Sequence, residues 1–282
     1  MAGRTQRIEQ KTMTTGALIF AFNNSDFDYV QMAAWSAERI KKYLNIPVAV
    51  ITNDESAEKY KIFDHVINTE VVWDGYHRHF DDLGKSVPWY NANRVDAYAL
   101  SPWDQTLVLD ADYVVNSTQL SEYLKYQTDF MCHRYALNVT TGDNKNWDLN
   151  YFGSYRFPMW WATVMIFQKS TIAKYIFDSM SMIKNNWQHY RDLYGIARPT
   201  YRNDHALSIS LGLVNGHTFK TTDIPGPLLS VTPEVVLTQV DQEAFLLKWT
   251  NAQQQLKYQH ISGTDFHAMG KRYLGDIIAN SR

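Results

Sequence analysis

Three short apolar runs near the N-terminus, set apart by segments of helical spacing, constrain the fold of this 282-residue chain more than any other feature. "GALIFAFNN" (16–24) and "IPVAVIT" (46–52) are continuously apolar rather than alternating. Strands of that kind are buried on both faces, as in a parallel sheet covered by helices. Between them Phe27, Val30, Ala34, Ala37, Ile40 and Leu44 recur at helical intervals, with Ser25 or Asp26 placed to cap the helix. A short helix over 56–63 precedes a third strand, "HVIN" (65–68). A helix over 91–100 leads through "SPWDQ" into "TLVLDADYVV" (106–115). This alternation predicts an α/β fold with a mostly parallel central sheet flanked by helices.

The second half is less regular. "WDLNYFGSYRFPMWW" (147–161) reads as an aromatic loop and "ATVMIF" (162–167) as a strand. Helical spacing covers 170–187, and "NDHALSISLGLVNG" (203–216) reads as a helix ended by Asn215-Gly216. "EVVLTQV" (234–240) is a further strand candidate. No repeat, low-complexity tract or linker is evident. The expectation is a polar, disordered tail over 1–12 and one domain over 13–282, with an irregular C-terminal region.

Composition narrows the function classes. A net charge of -2 gives no global attraction to nucleic acid or anionic membrane. Any basic face would have to gather "HRYALN", "GSYRF", "HYRDL" and "YRND". No apolar run is long enough to span a membrane, so no insertion is expected. The start, "MAGRTQRIEQKT", lacks the apolar core of a signal peptide. Cys132 is the lone cysteine, which rules out an intrachain disulfide and fits a reducing compartment such as the cytoplasm. Aromatic residues reach 14%, enough to supply rings that stack on a sugar or a base besides packing the core. Trp89, Trp160 and Trp161 are the candidates.

The sharpest chemical signal is Asp110-Ala111-Asp112, directly after the apolar "TLVL". An unpaired buried carboxylate is costly. Two acids at the C-terminal end of a buried parallel strand lie where ligands bind in open α/β sheets. There they suit a hard divalent cation, Mg2+ or Mn2+, bridged to substrate phosphates.

"TLVLDADYVV" resembles the metal motif of GT-A glycosyltransferases, especially the glycogenin-like and galactosyltransferase-like branch. "ALIFAFNNSDFDYVQMAAWSAERIKKYL" resembles that family's opening strand, nucleotide-contacting loop and first helix. "TVMIF", "RNDHALSI" (202–209) and the terminal "HISG" or "HAMG" resemble its later strand, its Asp-Gln-Asp segment and its His-x-x-Gly element. The resemblance covers most of 16–275, and the chain is also similar to glycosyltransferase-like proteins of bacteriophages.

The resemblance implies a GT-A, Rossmann-like fold and a Mn2+- or Mg2+-dependent transfer of sugar from a nucleotide sugar, most simply a UDP-sugar. Asp110 and Asp112 would take the ribose and metal roles, with His267 as third ligand and His260 as the alternative. Ala21, Phe22 and Asn23 would line the uracil and ribose pocket. Arg94, and Lys85 before it, would contact sugar or phosphate, and Gly270-Lys271 the diphosphate. Asp204 would belong to the reaction centre with Asp112. "Asn203-Asp204-His205" departs from Asp-Gln-Asp, and Lys271-Arg272-Tyr273 stands where the family has Lys-Pro-Trp. The acceptor hydroxyl could belong to a hydroxymethylated base of phage DNA, flipped onto Trp160 or Trp161. A phage-encoded chain would then work in the host cytoplasm. A glycan, a protein or a small molecule is the alternative acceptor. A nucleotidyltransferase is the rival reaction, although "AFNNSDFDY" lacks the Gly-rich basic loop it would need. Asp112→Asn is expected to abolish metal-dependent turnover and leave the fold intact.

Overall fold

The computed structural model describes residues 13–70, 75, 77–80, 84–90, 93–140, 150–218 and 222–281. The segment 1–12 lies outside the described residues, as do 91–92 and 141–149.

The fold is mixed α/β. Its central sheet has seven strands, in the order Thr222–Asp223, Phe130–His133, Trp161–Gln168, Gln105–Asp110, Thr15–Phe20, Val48–Thr52 and His65–Asn68. Trp161–Gln168 runs antiparallel to both neighbours, and every other pairing is parallel. The continuous apolar runs are explained by what lies on either side. Ala17, Ile19, Leu107 and Leu109 face one core, which includes Val30, Ala37 and Ile40 of the helix Tyr29–Leu44. Leu18, Phe20, Val108 and Phe167 face a second core with Ile176 and Phe177 of the helix Thr171–Asn185. Alternate side chains go to opposite faces, and both faces are dry.

The first helix begins later than the sequence predicts. Asn24 Oδ1 accepts the N–H groups of Asp26 and Phe27, both at 2.9 Å, and holds 24–27 in a turn. Asp28 therefore caps the helix, its carboxylate accepting the Gln31 N–H at 2.8 Å. Asp26 instead pairs with Lys85. Two further helices are tighter than expected, and the first of them is shorter. The predicted 56–63 is a 3-10 turn, Glu55–Lys59, and the predicted 91–100 is a 3-10 turn, Asn93–Asp96, running into Ala97–Leu100. The helix expected from 203 is present as Asn203–Val214.

The second half holds more strand than the sequence suggests. The aromatic stretch forms a small hairpin, Tyr151–Phe152 with Phe157–Pro158. The expected strand at 234–240 is Val236–Gln239, one edge of a three-stranded sheet with Ala244–Thr250 and Leu256–Ser262. A four-stranded sheet, ordered Tyr113–Val114, Phe266–Ala268, Leu228–Val231 and Ala136–Asn138, joins the middle of the chain to its end. The helix Lys271–Asn280 follows. No helix among the described residues is long and apolar enough to cross a membrane.

Candidate active site

Asp110 ends the strand Gln105–Asp110 beside Phe20, at the C-terminal edge of the parallel strands. The chain turns through Ala111 and Asp112 into Tyr113–Val114. There it meets Phe266–Ala268 antiparallel, with His267 opposite Tyr113. The Ala268 N–H donates to the Asp112 carbonyl at 2.9 Å. This short ladder carries an imidazole from the end of the chain to the acidic turn. His267 Nε2 lies 3.3 Å from Asp112 Oδ2 and 3.9 Å from Asp110 Oδ2. One ligand atom from each of Asp110, Asp112 and His267 lies within 4.8 Å of the others. His260, the other histidine considered, stands exposed on the strand Leu256–Ser262 opposite Leu246, and belongs to no such cluster among the described residues.

Two buried cations face the carboxylates. Lys271, 3% exposed, places Nζ on Asp112 Oδ2. Arg94, 4% exposed, places Nη2 on Asp110 Oδ1 and donates from Nη1 to the Ala162 carbonyl at 2.6 Å. Burial pushes the Asp112 carboxyl up, but Lys271 and then His267 outweigh it and hold it well below the usual range. Lys271 opens the last helix directly after Gly270, so the helix start fixes where its side chain leaves the backbone.

The opening loop is only partly available. Ala21 is fully buried, and its N–H donates to the Ile51 carbonyl at 2.9 Å. Phe22 packs beside Phe20 in the core. Their side chains therefore face inward. Asn23 accepts the Val30 N–H at 3.0 Å and donates to Asp54 Oδ2 at 2.7 Å, so its amide braces the loop against the first helix. Asp54, at the end of the neighbouring strand, was not singled out from sequence. Hydrogen bonds from Ser56, and then Asn23, hold it below the ordinary carboxylate range despite partial burial. A cap-like Asn-Asp-x-Ser after an apolar strand was the available signal.

Asp204 lies in the first turn of Asn203–Val214, whose N-cap position is Arg202. Its Oδ1 accepts the Ala162 N–H at 3.0 Å, and its Oδ2 accepts from Arg202 Nη2 at 2.8 Å. Burial raises its pKa, but Arg202, the Ala162 N–H and Arg94 together hold it below the usual value. With both oxygens engaged, this carboxylate is a weak proton acceptor. The Ala162 peptide bonds to Arg94 through its oxygen and to Asp204 through its N–H. One chain of contacts thus runs from Asp110 through Arg94 and Ala162 to Asp204 and Arg202.

The aromatic expectation needs correction at Trp160. Trp160 is 1% exposed and packed in the core, with Arg134 4.9 Å from its ring and its Nε1 donating to Asp223 at 3.3 Å. A ring this buried offers no face to a flipped base. Trp161 is only half-buried, and Trp89 packs 6.3 Å from Tyr201. The arginines of the four basic segments differ in their surroundings, and Arg156 is exposed. Arg134 is buried among rings, Arg156 lies over Tyr151, Arg191 pairs with Asp192, and Arg202 pairs with Asp204.

No protein-family model and no curated protein matches the chain. Among solved structures, it is similar to the galactosyltransferase LgtC in complex with donor and acceptor sugar analogs, at 12% identity and a TM-score of 0.45, over 70% of each chain. It is also similar to the glycosyltransferase GlyE of Streptococcus pneumoniae TIGR4, at 9% identity and a TM-score of 0.42, over 75% of this chain and 45% of that one. The bifunctional glycosyltransferase WbbM is a third, at 11% identity and a TM-score of 0.41, over 77% of this chain and 39% of that one. All three are glycosyltransferases.

Proposed function

We propose that the chain is a divalent-metal-dependent glycosyltransferase that moves a sugar from a nucleotide sugar, most simply a UDP-sugar, to an acceptor hydroxyl. The observation that carries this reading is the convergence of Asp110, Asp112 and His267 at the C-terminal edge of the parallel strands. Adjacent ligands of an octahedral Mg2+ or Mn2+ stand about 3 Å apart, given bonds of about 2.1 Å. The 3.3 and 3.9 Å separations between the imidazole and the two carboxylates fit that span with small adjustments. Two hard oxygens and one imidazole suit Mn2+ well and Mg2+ adequately.

The bound cation would supply charge neutralisation on the donor diphosphate and its leaving group. The chain's own residues divide the remaining work. Asp110, Asp112 and His267 hold the cation. Lys271 neutralises Asp112 before loading, and as a compact point charge beside the site it suits a phosphate afterwards. Arg94 orients Asp110 and, through Ala162, Asp204. Backbone groups of Ala21 and Phe22, with Asn23 and Gly270, line the donor side. Asp204 lies at the reaction centre as an orienting carboxylate rather than a free base, because both of its oxygens are already bonded.

For the acceptor, a hydroxymethylated DNA base is the more specific reading and a glycan, protein or small molecule the broader one. The burial of Trp160 and Arg134 favours the broader one. The test is sugar transfer from UDP-sugars with Mn2+ and with chelator, across duplex DNA and glycan acceptors. Metal-dependent release of UDP, lost in His267→Ala, supports the assignment. Release unaffected by chelation and by that variant contradicts it. Steeply salt-dependent binding to duplex DNA would favour the DNA acceptor.

A further inference from the structure

The cation site takes ligands from segments far apart in the chain, yet the ladder joining them has only two residue pairs, Phe266 with Val114 and His267 with Tyr113. So short a ladder is weak by itself and needs closure at its ends. One end is closed by the Ala268 N–H on the Asp112 carbonyl. The other is closed by a side chain. Asp265, 7% exposed, accepts the Asn116 N–H on Oδ1 at 2.6 Å, and Ser117 also hydrogen-bonds to it.

Behind this tie stands one face of the first helix. Ser36 Oγ donates to the Tyr113 carbonyl at 3.4 Å, and Arg39 Nε donates to the Val115 carbonyl at 2.8 Å. Arg39 also places Nη2 on Asn116 Oδ1 and donates from Nη1 to the Gln242 carbonyl at 3.1 Å. Its guanidinium sits 4.9 Å from the Trp35 ring and 5.4 Å from the rings of Tyr43 and Phe245. Asn116 Nδ2 donates to the Glu243 carbonyl at 2.8 Å. A buried arginine, asparagine and aspartate thus lock the segment after Asp112 to the segment before His267. Neither Arg39 nor Asp265 lies in the cation cluster, and no role for them was evident from sequence.

We infer that Asp265, backed by Arg39 and Asn116, is a positioning residue that sets where His267 stands relative to Asp110 and Asp112. The inference rests on the metal-site reading above. Groups that orient metal ligands at one remove commonly change metal affinity by about 10- to 100-fold when lost.

The test is Mn2+ binding to the purified protein, followed as free Mn2+ by electron paramagnetic resonance, in wild type, Asp265→Ala, Asp265→Glu and Asp265→Asn. Asp265→Ala removes the tie, and Asp265→Glu keeps its charge but displaces it by one methylene. Both are expected to weaken Mn2+ binding by about 10-fold or more. Asp265→Asn keeps the size and an acceptor oxygen, and is expected to stay within a few-fold of wild type. Ser210→Ala, which removes a buried bond to the Ile176 carbonyl between two helices and touches none of Asp110, Asp112, His267 or Asp265, serves as control. It should lower the melting temperature and leave Mn2+ affinity unchanged. Wild-type affinity in folded Asp265→Ala or Asp265→Glu overturns the inference while leaving the cation site standing. If the alanine variant does not fold, the glutamate variant decides. No Mn2+ binding by the wild-type protein overturns the metal-site reading and this inference with it.

Discussion

Lys271 Nζ rests on Asp112 Oδ2, the oxygen that also lies 3.3 Å from His267 Nε2. In the absence of a cation, a buried ammonium takes up the charge of the buried carboxylate. The acidic turn is therefore tolerable by itself, and on the proposed reading a bound cation would have to redistribute that charge.

Asp112→Asn accordingly does more than remove a ligand. It removes the carboxylate charge that the buried Lys271 ammonium faces, and breaking such a pair by one member destabilises by about 3–5 kcal/mol. The expectation of an intact fold is thus amended to a folded but weakened one. Urea denaturation should reveal the loss, and metal-dependent turnover should vanish. Full stability together with full activity would contradict the pairing and the ligand role.

Lys271→Met removes the competitor for Asp112 instead. Stability without metal should fall by a similar amount, about 3 kcal/mol. Mn2+ should then raise the melting temperature more than it does in wild type, since a ligand that binds only the native state stabilises it and the carboxylate is no longer shared. Sugar transfer should remain low if the ammonium serves the diphosphate. Melting curves with and without Mn2+ check the first part, and a transfer assay the second.

Asp204→Asn tests the contact chain through Ala162. An amide oxygen can still accept the Ala162 N–H, while the charge facing Arg202 and Arg94 is lost. Arg202 is partly exposed, so the effect on stability should be below about 1 kcal/mol. Turnover should fall with donor affinity little changed. Separate measurement of kcat and KM distinguishes that outcome from simple loss of binding.

Acid sensitivity should come from histidines that lie away from the cation cluster. Burial, then Arg202, lowers the His205 pKa to about 3, and burial lowers that of His133 to about 4. His205 stacks between Phe152 and Trp187, and its Nδ1 has no hydrogen-bond partner. Unfolded chains take up a proton near pH 6.5, and the folded protein does not until much lower. Stability is therefore complete above pH 6.5 and is lost as pH falls. For His205 alone the loss between pH 6.5 and 5 is about 2 kcal/mol. His205→Phe should flatten this acid limb in urea titrations at the two pH values.

The parts of the fold legible in the sequence were those with local signals. The runs at 16–24, 46–52 and 106–110 announced buried parallel strands because both of their faces are apolar, and Asp110 and Asp112 stood out because acids at such a strand end need a reason. His267 was legible only as one of two histidines. What selects it is the pairing of Phe266–Ala268 with Tyr113–Val114, a contact between distant segments that no local pattern encodes. The same holds for the ion pairs of Lys271 and Arg94, the Asp265 tie and the burial of Trp160. The cap at Asp28 was missed because Asn24 spends the preceding residues in a turn. Beyond the expected strands at 162–167 and 234–240, those of the second half were missed; Tyr151–Phe152 and Phe157–Pro158 have two residues each, and Leu256–Ser262 is mostly exposed, so none of these carries a continuous apolar run.

The most direct measurement is a thermal-shift titration of wild type and His267→Ala with UDP-sugars, each with and without Mn2+. The account predicts that at least one UDP-sugar raises the wild-type melting temperature only when Mn2+ is present, and that His267→Ala loses this shift. A shift that ignores Mn2+, an equal shift in His267→Ala, or none with any donor would contradict it.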